Sequence, residues 1–442
     1  MTALCTDLYE IRMAVSYLRR AMTDQATFSL FVRRLPVDRG YLVATGLADC
    51  LDFLDRFGFT EDELAYLGRE VGLDRSATTA LRGLRFTGDV RAVPEGRVVF
   101  AGEPVLEVTA PIAEAQLVET ALLNFVTFQT AVASKAARCR VAAGTAALVD
   151  FAARRTHGLE AAAAVARASA VVGFEGTSYV EAARRYGLTV TGTMAHSYVE
   201  AFPDERAAFR AFADDFPDDA VLLVDTYDTE TGVRHAVDVT RPVGVRLDSG
   251  DLLALSRRAR EVLDATGLPR ARIVAGGGLD EYRIAELVAR GAPIDVFGVG
   301  TRMGVSADAP SLDSAYKLVE YGGRPVMKLS AGKVTAPGRK QVFRGDPRDG
   351  DLLGLHDEAV PPGREPLLVP VMAGGARLGP RRSAHQSVLD ARSRFHADLE
   401  WLPAAACRLA RPEPVTVRTT DRLATLTDEV RTSLRDQLPG RS

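Results

Sequence analysis

From Glu114 to Arg140 the chain reads "EAQLVETALLNFVTFQTAVASKAARCR", a stretch rich in apolar residues and free of Gly and Pro, which predicts a long, mostly buried helix. Beyond it the pattern becomes regular. Apolar runs of strand length recur in the order "TAALVDF", "SAVVGFEGTS", "LTVTGTMAHS", "AVLLVDTYDT", "PVGVRLDSGD", "ARIVAGGGLD" and "IDVFGVGTRM", each closed by small or acidic residues and followed by a helical pattern. Ser178 with Glu181, and Ser197 with Glu200, match the capping-box spacing, while "SGDLLALSRRAREVLDATG" and "LDEYRIAELVARGA" begin at acidic or Ser/Gly positions and end in glycine. Alternating strands and helices predict a parallel sheet, and the repeated polar strand endings favour a barrel, whose active-site groups sit on such endings. Before this region, "LADCLDFLDRFG" reads as a helix ending at Gly58, and "VRAVPEGRVVFAGEPVLEVTAP" as short strands broken by turns. From Tyr321 hairpin-like strands return, with "APGR" fitting a type II turn. The expected fold is therefore α/β: an irregular TIM-like (β/α) barrel over 114–320, an α+β domain over 1–113, and a C-terminal segment, 321–442, whose strands pack back on the N-terminal domain.

Composition narrows the function. The formal net charge of -3, with charges of both signs spread along the chain, lacks the basic footprint of a nucleic-acid binder. The four cysteines, Cys5, Cys50, Cys139 and Cys407, show no CxxC spacing, which suits reduced thiols better than a disulfide framework or a zinc site. The N-terminal "MTALCTDLYEIRMAVSYLRRAM" is amphipathic and lacks the apolar core of a signal peptide, and no run approaches the length of a spanning helix. The expected location is cytoplasmic, with no membrane or nucleic-acid partner.

On a barrel, the strand endings bring Asp150, Phe151, Glu175, Ser178, His196, Asp225, Asp228, Arg246, Asp248, Gly276 to Gly278 and Gly300 to Arg302 to one rim. "AGGGLD" and "GVGTR" are glycine-rich strand-to-helix turns late in the order, where backbone N–H groups hold a phosphate; the competing reading is two tight turns that need glycine for positive φ. Asp225, Asp228 and Asp248 suit Mg²⁺, which commonly bridges carboxylates to phosphates, against a reading as caps and surface ion pairs. Asp251 fits a helix cap better than a ligand. His196, just ahead of a helical pattern, is either an ordinary loop residue or a neutral nucleophile that becomes a phosphohistidine.

Taken together, the ordered stretches "TDLYE", "QLVETALLNFVTFQTAVASKAAR", "FEGTSYVEAARRYGLTVTGTMAHS", "VDTYDT", "RLDSGD", "GGGLDE", "FGVGTRM" and "SAYKLVEYGGRPVMKLSAGKVTAPGRKQVFR" resemble the nicotinate phosphoribosyltransferase family over most of the chain. The resemblance implies transfer of a phosphoribosyl group from phosphoribosyl pyrophosphate to nicotinate, giving nicotinate mononucleotide and pyrophosphate in NAD biosynthesis, with ATP hydrolysis coupled through phosphorylation of His196 in "GTMAHS". It implies a homodimer in which Tyr9 reaches the neighbouring subunit's site and stacks on the pyridine ring, with Phe151 on the other face. Arg246 resembles the arginine near the nicotinate carboxylate, Gly277, Gly278, Gly300 and Thr301 the cradle of the ribose 5'-phosphate, and Asp225 and Asp248 the acids near Mg²⁺-pyrophosphate.

"DFAARR" departs from the family's commoner glycine after Phe and Thr-Arg-Arg run, which leaves open whether Arg154 or Arg155 binds phosphate. "GTSY" replaces "GTSN" but keeps Ser178, whose neutral hydroxyl stands where the related nicotinamide enzyme has an acid that would repel a carboxylate. Enzymes acting on nicotinamide, quinolinate or another pyridine carboxylate, and a non-catalytic nucleotide-binding relative, are the alternatives. A phosphosugar aldolase or isomerase barrel needs a catalytic lysine on a strand, and Lys135, Lys317, Lys328, Lys333 and Lys340 all lie outside the expected strand endings.

Overall fold

The computed structural model describes residues 2–330 and 335–437, so Lys333 and the last residues of the C-terminal segment lie outside the described residues. Its contacts divide the chain into two units: Met1–Ala131 with Ser311–Arg381 and Ser393–Ser442, and Val132–Pro310 with Arg382–Arg392. The long helix expected from Glu114 forms as two, Ile112–Leu117 and Glu119–Ala143, with a break at Val118.

The first unit is built on a seven-stranded sheet in which Ser314–Tyr321 lies antiparallel to Gln25–Val32, which in turn pairs with Pro104–Pro111. Strands from both ends of the chain thus share one sheet. Phe28 and Tyr316 stack across the first of these pairs, with ring centroids 4.7 Å apart, inside the larger apolar core. A four-stranded sheet holds Lys340–Arg344 and Asp351–Leu355, and Gly338 ahead of it has φ +78°, as the "APGR" turn requires.

The second unit is an α/β fold around a six-stranded, wholly parallel sheet in the order Gly176–Thr177, Ala147–Asp150, Val296–Val299, Arg272–Ala275, Gly244–Leu247, Val221–Leu223. Among the described residues the two edge strands do not pair with each other, so the irregular TIM-like barrel expected takes the form of an open half-barrel. Two of the expected strands account for the opening. The "SAVV" run is the end of the alanine-rich helix Leu159–Val171, whose residues favour helix, and only Gly176–Thr177 remains extended. "LTVTGT" contributes a single bridge, Thr177 to Val190, because its β-branched residues have no core to cover and Val190 stays 55% exposed.

Register delivers the strand endings in two groups. Asp150 pairs with Val299 and with Thr177, so Phe151, Gly300 and Ser178 emerge together, while Ala275 pairs with Leu247 and with Phe297, so Gly276 and Asp248 emerge level with Gly298. Side chains alternate across the sheet, which puts Phe151 on the face that carries the buried Val149, Val274 and Val296.

Candidate active site

Asp150 is the hinge on which two of these endings hang. Its carboxylate, 1% exposed, accepts from the Ala152 N–H at 2.8 Å and from the Thr177 hydroxyl at 2.7 Å, and its carbonyl accepts from the Ser178 N–H at 2.9 Å. Burial pushes this carboxyl up to about 6 against those hydrogen bonds, which favour the anion. The arrangement fixes Phe151 and Ser178 on neighbouring turns, so Asp150 acts on the site by holding it.

Arg246 leaves its strand into the same space. Its guanidinium donates to the Asp248 carboxylate at 2.5 Å and to the Thr193 hydroxyl at 3.0 Å, and lies 5.3 Å from the centroid of the Phe151 ring. Its Nε is buried without a hydrogen-bond partner. A cavity of about 540 Å³ opens here, lined by Phe151, Arg246 and Asp248 on one side, Arg154, Arg155 and Ser178 on another, and Gly276 to Gly278, Gly300 and Thr301 on a third. The two arginines belong to the short 3-10 turn Ala153–Arg155 and are both exposed. The glycines are packed as well as positioned: a Cβ on Gly277 would lie 1.9 Å from the Asp248 carbonyl oxygen, and one on Gly298 would lie 2.6 Å from the Phe151 ring.

The acids sort themselves by partner. Asp225 accepts from the Asp248 N–H at 2.9 Å and the Ser249 hydroxyl at 2.7 Å through one oxygen, while its other oxygen is buried without a partner. That orphaned oxygen is suited to a cation. Asp228 instead caps the helix Thr229–Val239, and Asp251 caps Leu252–Ala265, as ordinary N-cap carboxylates. Among the described residues no group of three or more His, Cys, Asp or Glu could hold a metal.

His196 is the first residue of the helix His196–Glu200, and its Nδ1 lies 3.2 Å from the Thr226 hydroxyl. Neither expected capping box forms: the helix His196–Glu200 is capped by Ala195 and Val180–Tyr186 by Tyr179, both without a side-chain bond, because Ser178 sits two residues ahead of its helix and Glu181 is taken by Arg184. Tyr9 belongs to the first unit, on the helix Leu8–Arg19, and is 47% exposed. Residues the motif reading passed over are Thr193, Thr226 and Ser249. Each is a hydroxyl within three residues of a charged site residue, which is the signal that could have found them.

Among the described residues no lysine lines this cavity: Lys135 is buried in ion pairs with Glu281 and Asp308, and Lys340 sits in the first unit beside Glu107. No helix among the described residues is long and apolar enough to cross a membrane.

Comparison with known proteins agrees with this geometry. The model of the nicotinate phosphoribosyltransferase N-terminal domain matches residues 4–127, and that of the nicotinate phosphoribosyltransferase family matches residues 146–342. Nicotinate phosphoribosyltransferase pncB2 of Mycobacterium tuberculosis is 50% identical over 415 residues, covering 91% of this chain and 88% of its own, and the nicotinate phosphoribosyltransferase of Bacillus subtilis is 44% identical over 378 residues, covering 81% and 77%. The crystal structure of human nicotinic acid phosphoribosyltransferase superposes with a TM-score of 0.84 at 30% identity, over 96% of this chain and 99% of that one. In keeping with its open parallel sheet, its glycine turns and its arginine-aromatic pair, the chain belongs to the nicotinate phosphoribosyltransferase family.

Proposed function

We propose that this chain transfers the phosphoribosyl group of phosphoribosyl pyrophosphate to nicotinate, releasing pyrophosphate and forming nicotinate mononucleotide for NAD biosynthesis. The observation that carries the reading is the joint lining of one cavity by an aromatic face, Phe151, a guanidinium, Arg246, and two glycine turns. The pyridine ring stacks on Phe151, its carboxylate meets Arg246, and the 5'-phosphate rests on the N–H groups around Gly277, Gly278, Gly300 and Thr301. Ser178 contributes a neutral hydroxyl, which leaves the carboxylate unopposed, and Arg154 or Arg155 supplies positive charge at the cavity mouth.

In the chemical step the C1'–oxygen bond to pyrophosphate breaks with its electron pair going to the leaving group, and the ring nitrogen's lone pair closes the new C1'–nitrogen bond. The ring nitrogen carries no proton, so no general base is needed, and catalysis is charge stabilisation of an oxocarbenium-like state. Asp225 and Asp248 would hold Mg²⁺, which supplies neutralisation of the pyrophosphate charge. His196 accepts the γ-phosphoryl group of ATP, with ADP leaving on the electron pair of the broken P–O bond, and later loses that group to water, which couples ATP hydrolysis to the transfer. Tyr9, exposed on its helix, completes the site of a second copy in a homodimer.

Steady-state kinetics of pyrophosphate release with a panel of pyridine carboxylates tests the acceptor: nicotinate is expected to be used far better than nicotinamide or quinolinate, and a comparable kcat/KM for nicotinamide would overturn the reading. For His196, γ-labelled ATP should leave acid-labile, base-stable label on the native protein and none on His196→Ala, which should keep slow, uncoupled transfer. Equal labelling of the two returns His196 to an ordinary loop residue.

A further inference from the structure

Arg246 has more donors than the site gives it partners. Nη2 is held by the Asp248 carboxylate at 2.5 Å, Nη1 by the Thr193 hydroxyl at 3.0 Å, and Nε is buried and unpaired. We infer that Thr193 is a positioning residue that aims the Arg246 guanidinium at the acceptor's carboxylate and thereby sets the preference for a carboxylate over a carboxamide. The inference rests on Arg246 being the carboxylate's ligand.

The physical argument concerns what one contact cannot do. A guanidinium is a planar fork, and a carboxylate favours closing a two-bond ring with it. Held by Asp248 alone, the head group is free to swing about that contact and engage both oxygens of Asp248, which would turn its donors and its charge away from the cavity. Thr193 prevents the swing by occupying the other terminal nitrogen, while the Phe151 ring, 5.3 Å from the guanidinium carbon, fixes the face. The choice of a hydroxyl matters. It orients Nη1 without neutralising it, whereas a second acid at this position would cancel the charge that the acceptor needs.

Thr193 can reach Arg246 because its segment is not a strand of the sheet. The segment is fixed by the bridge of Thr177 to Val190 at one end and by the helix that starts at His196 at the other, and Thr193 lines the cavity in the irregular stretch between them. An additional ladder strand here would tie the backbone at Thr193 to the sheet register.

The test is a kinetic comparison of Thr193→Val, which keeps the shape and loses the hydroxyl, with Thr193→Ser, which keeps the hydroxyl, alongside Arg246→Ala. Thr193→Val is expected to raise the nicotinate KM by about tenfold or more, as for a lost hydrogen bond to a charged group. The KM for phosphoribosyl pyrophosphate should stay within about twofold, the residual turnover of nicotinamide should be unchanged, and Thr193→Ser should restore most of the nicotinate affinity, because only the carboxylate's ligand is disturbed. An unchanged nicotinate KM, an equal rise for both substrates, or Thr193→Ser no better than Thr193→Val would overturn the inference while Arg246→Ala still weakens nicotinate. If Arg246→Ala itself leaves the nicotinate KM unchanged, the assignment of Arg246 fails and the inference falls with it.

Discussion

Replacing Asp150 by Asn isolates the energetic consequence of a buried acid. The carboxyl is pushed up to about 6 by burial, from an ordinary value of 3.8. Below the unfolded value both states hold the proton, and above the folded value both have lost it. Between the two, the folded state binds the proton more tightly, so this group's contribution to stability is present at low pH and is lost as pH rises through the folded pKa. The shift of 3.8 to about 6 corresponds to about 3 kcal/mol in total, of which about 2 kcal/mol falls between about pH 4.5 and about pH 7. Asn cannot titrate, yet its amide oxygen can accept from the Ala152 N–H and its NH₂ can donate to the Thr177 hydroxyl, so the local geometry has a substitute. Urea unfolding of the two proteins, compared pairwise across that pH range so that other groups cancel, should show the native protein losing about 2 kcal/mol relative to Asp150→Asn. A flat difference, or one that grows in favour of the native protein as pH rises, would refute the assignment of burial as the dominant cause.

Gly277→Ala combines a Cβ 1.9 Å from a backbone oxygen with φ +78°, and is expected to raise the KM for phosphoribosyl pyrophosphate more than tenfold by the loss of backbone alignment, measured at saturating nicotinate. Glu281→Ala removes the fully buried carboxylate shared by Lys135 and Arg138, leaves two buried cations with less compensation, and should destabilise the protein by about 3–5 kcal/mol in urea unfolding. If Tyr9 completes a neighbour's site, mixing Tyr9→Ala with His196→Ala subunits should regenerate ATP-coupled transfer that neither variant shows alone, and sedimentation should give a dimer or larger; mixtures no more coupled than their components would separate Tyr9 from catalysis.

How much was legible in the sequence follows from what each signal reports. Strands with apolar residues to bury on both faces, such as "ARIV" and "VFGV", were readable because the pattern itself is the burial; Arg272–Ala275 and Val296–Val299 form inside the sheet. "SAVV" and "LTVT" misled because propensity and composition do not say whether a partner strand is within reach, and an alanine-rich helix captured the first while exposure left the second nearly unpaired. The sequence reading brought Phe151, Ser178, Arg246 and Asp248 to one rim, and all four line one cavity. Three hydroxyls, Thr193, Thr226 and Ser249, were illegible, because they gain meaning only from the partner that the fold places beside them.

The glycine turns show how a structure divides two readings that a sequence leaves tied. Gly276 and Gly277 are forced by packing: a Cβ on the first would lie 2.4 Å from the Asp248 carboxylate, and on the second 1.9 Å from the Asp248 carbonyl oxygen. Gly298 is forced by the Phe151 ring at 2.6 Å, and Gly300 is constrained by the Phe151 carbonyl oxygen at 3.3 Å. Gly277, against a backbone oxygen and at φ +78°, would be glycine even in a protein that bound no phosphate. Gly278 is different, for its φ of +68° demands glycine while a Cβ there would meet nothing within 4 Å. Among these glycines Gly278 is the one whose left-handed turn opens onto empty space on the cavity wall, so packing by itself does not account for it. The same packing would couple the proposed acceptor and phosphate sites: Asp248 presses on the turn of Gly276 and Gly277 and also holds Arg246, so a shift at either end is transmitted through one side chain and its own backbone.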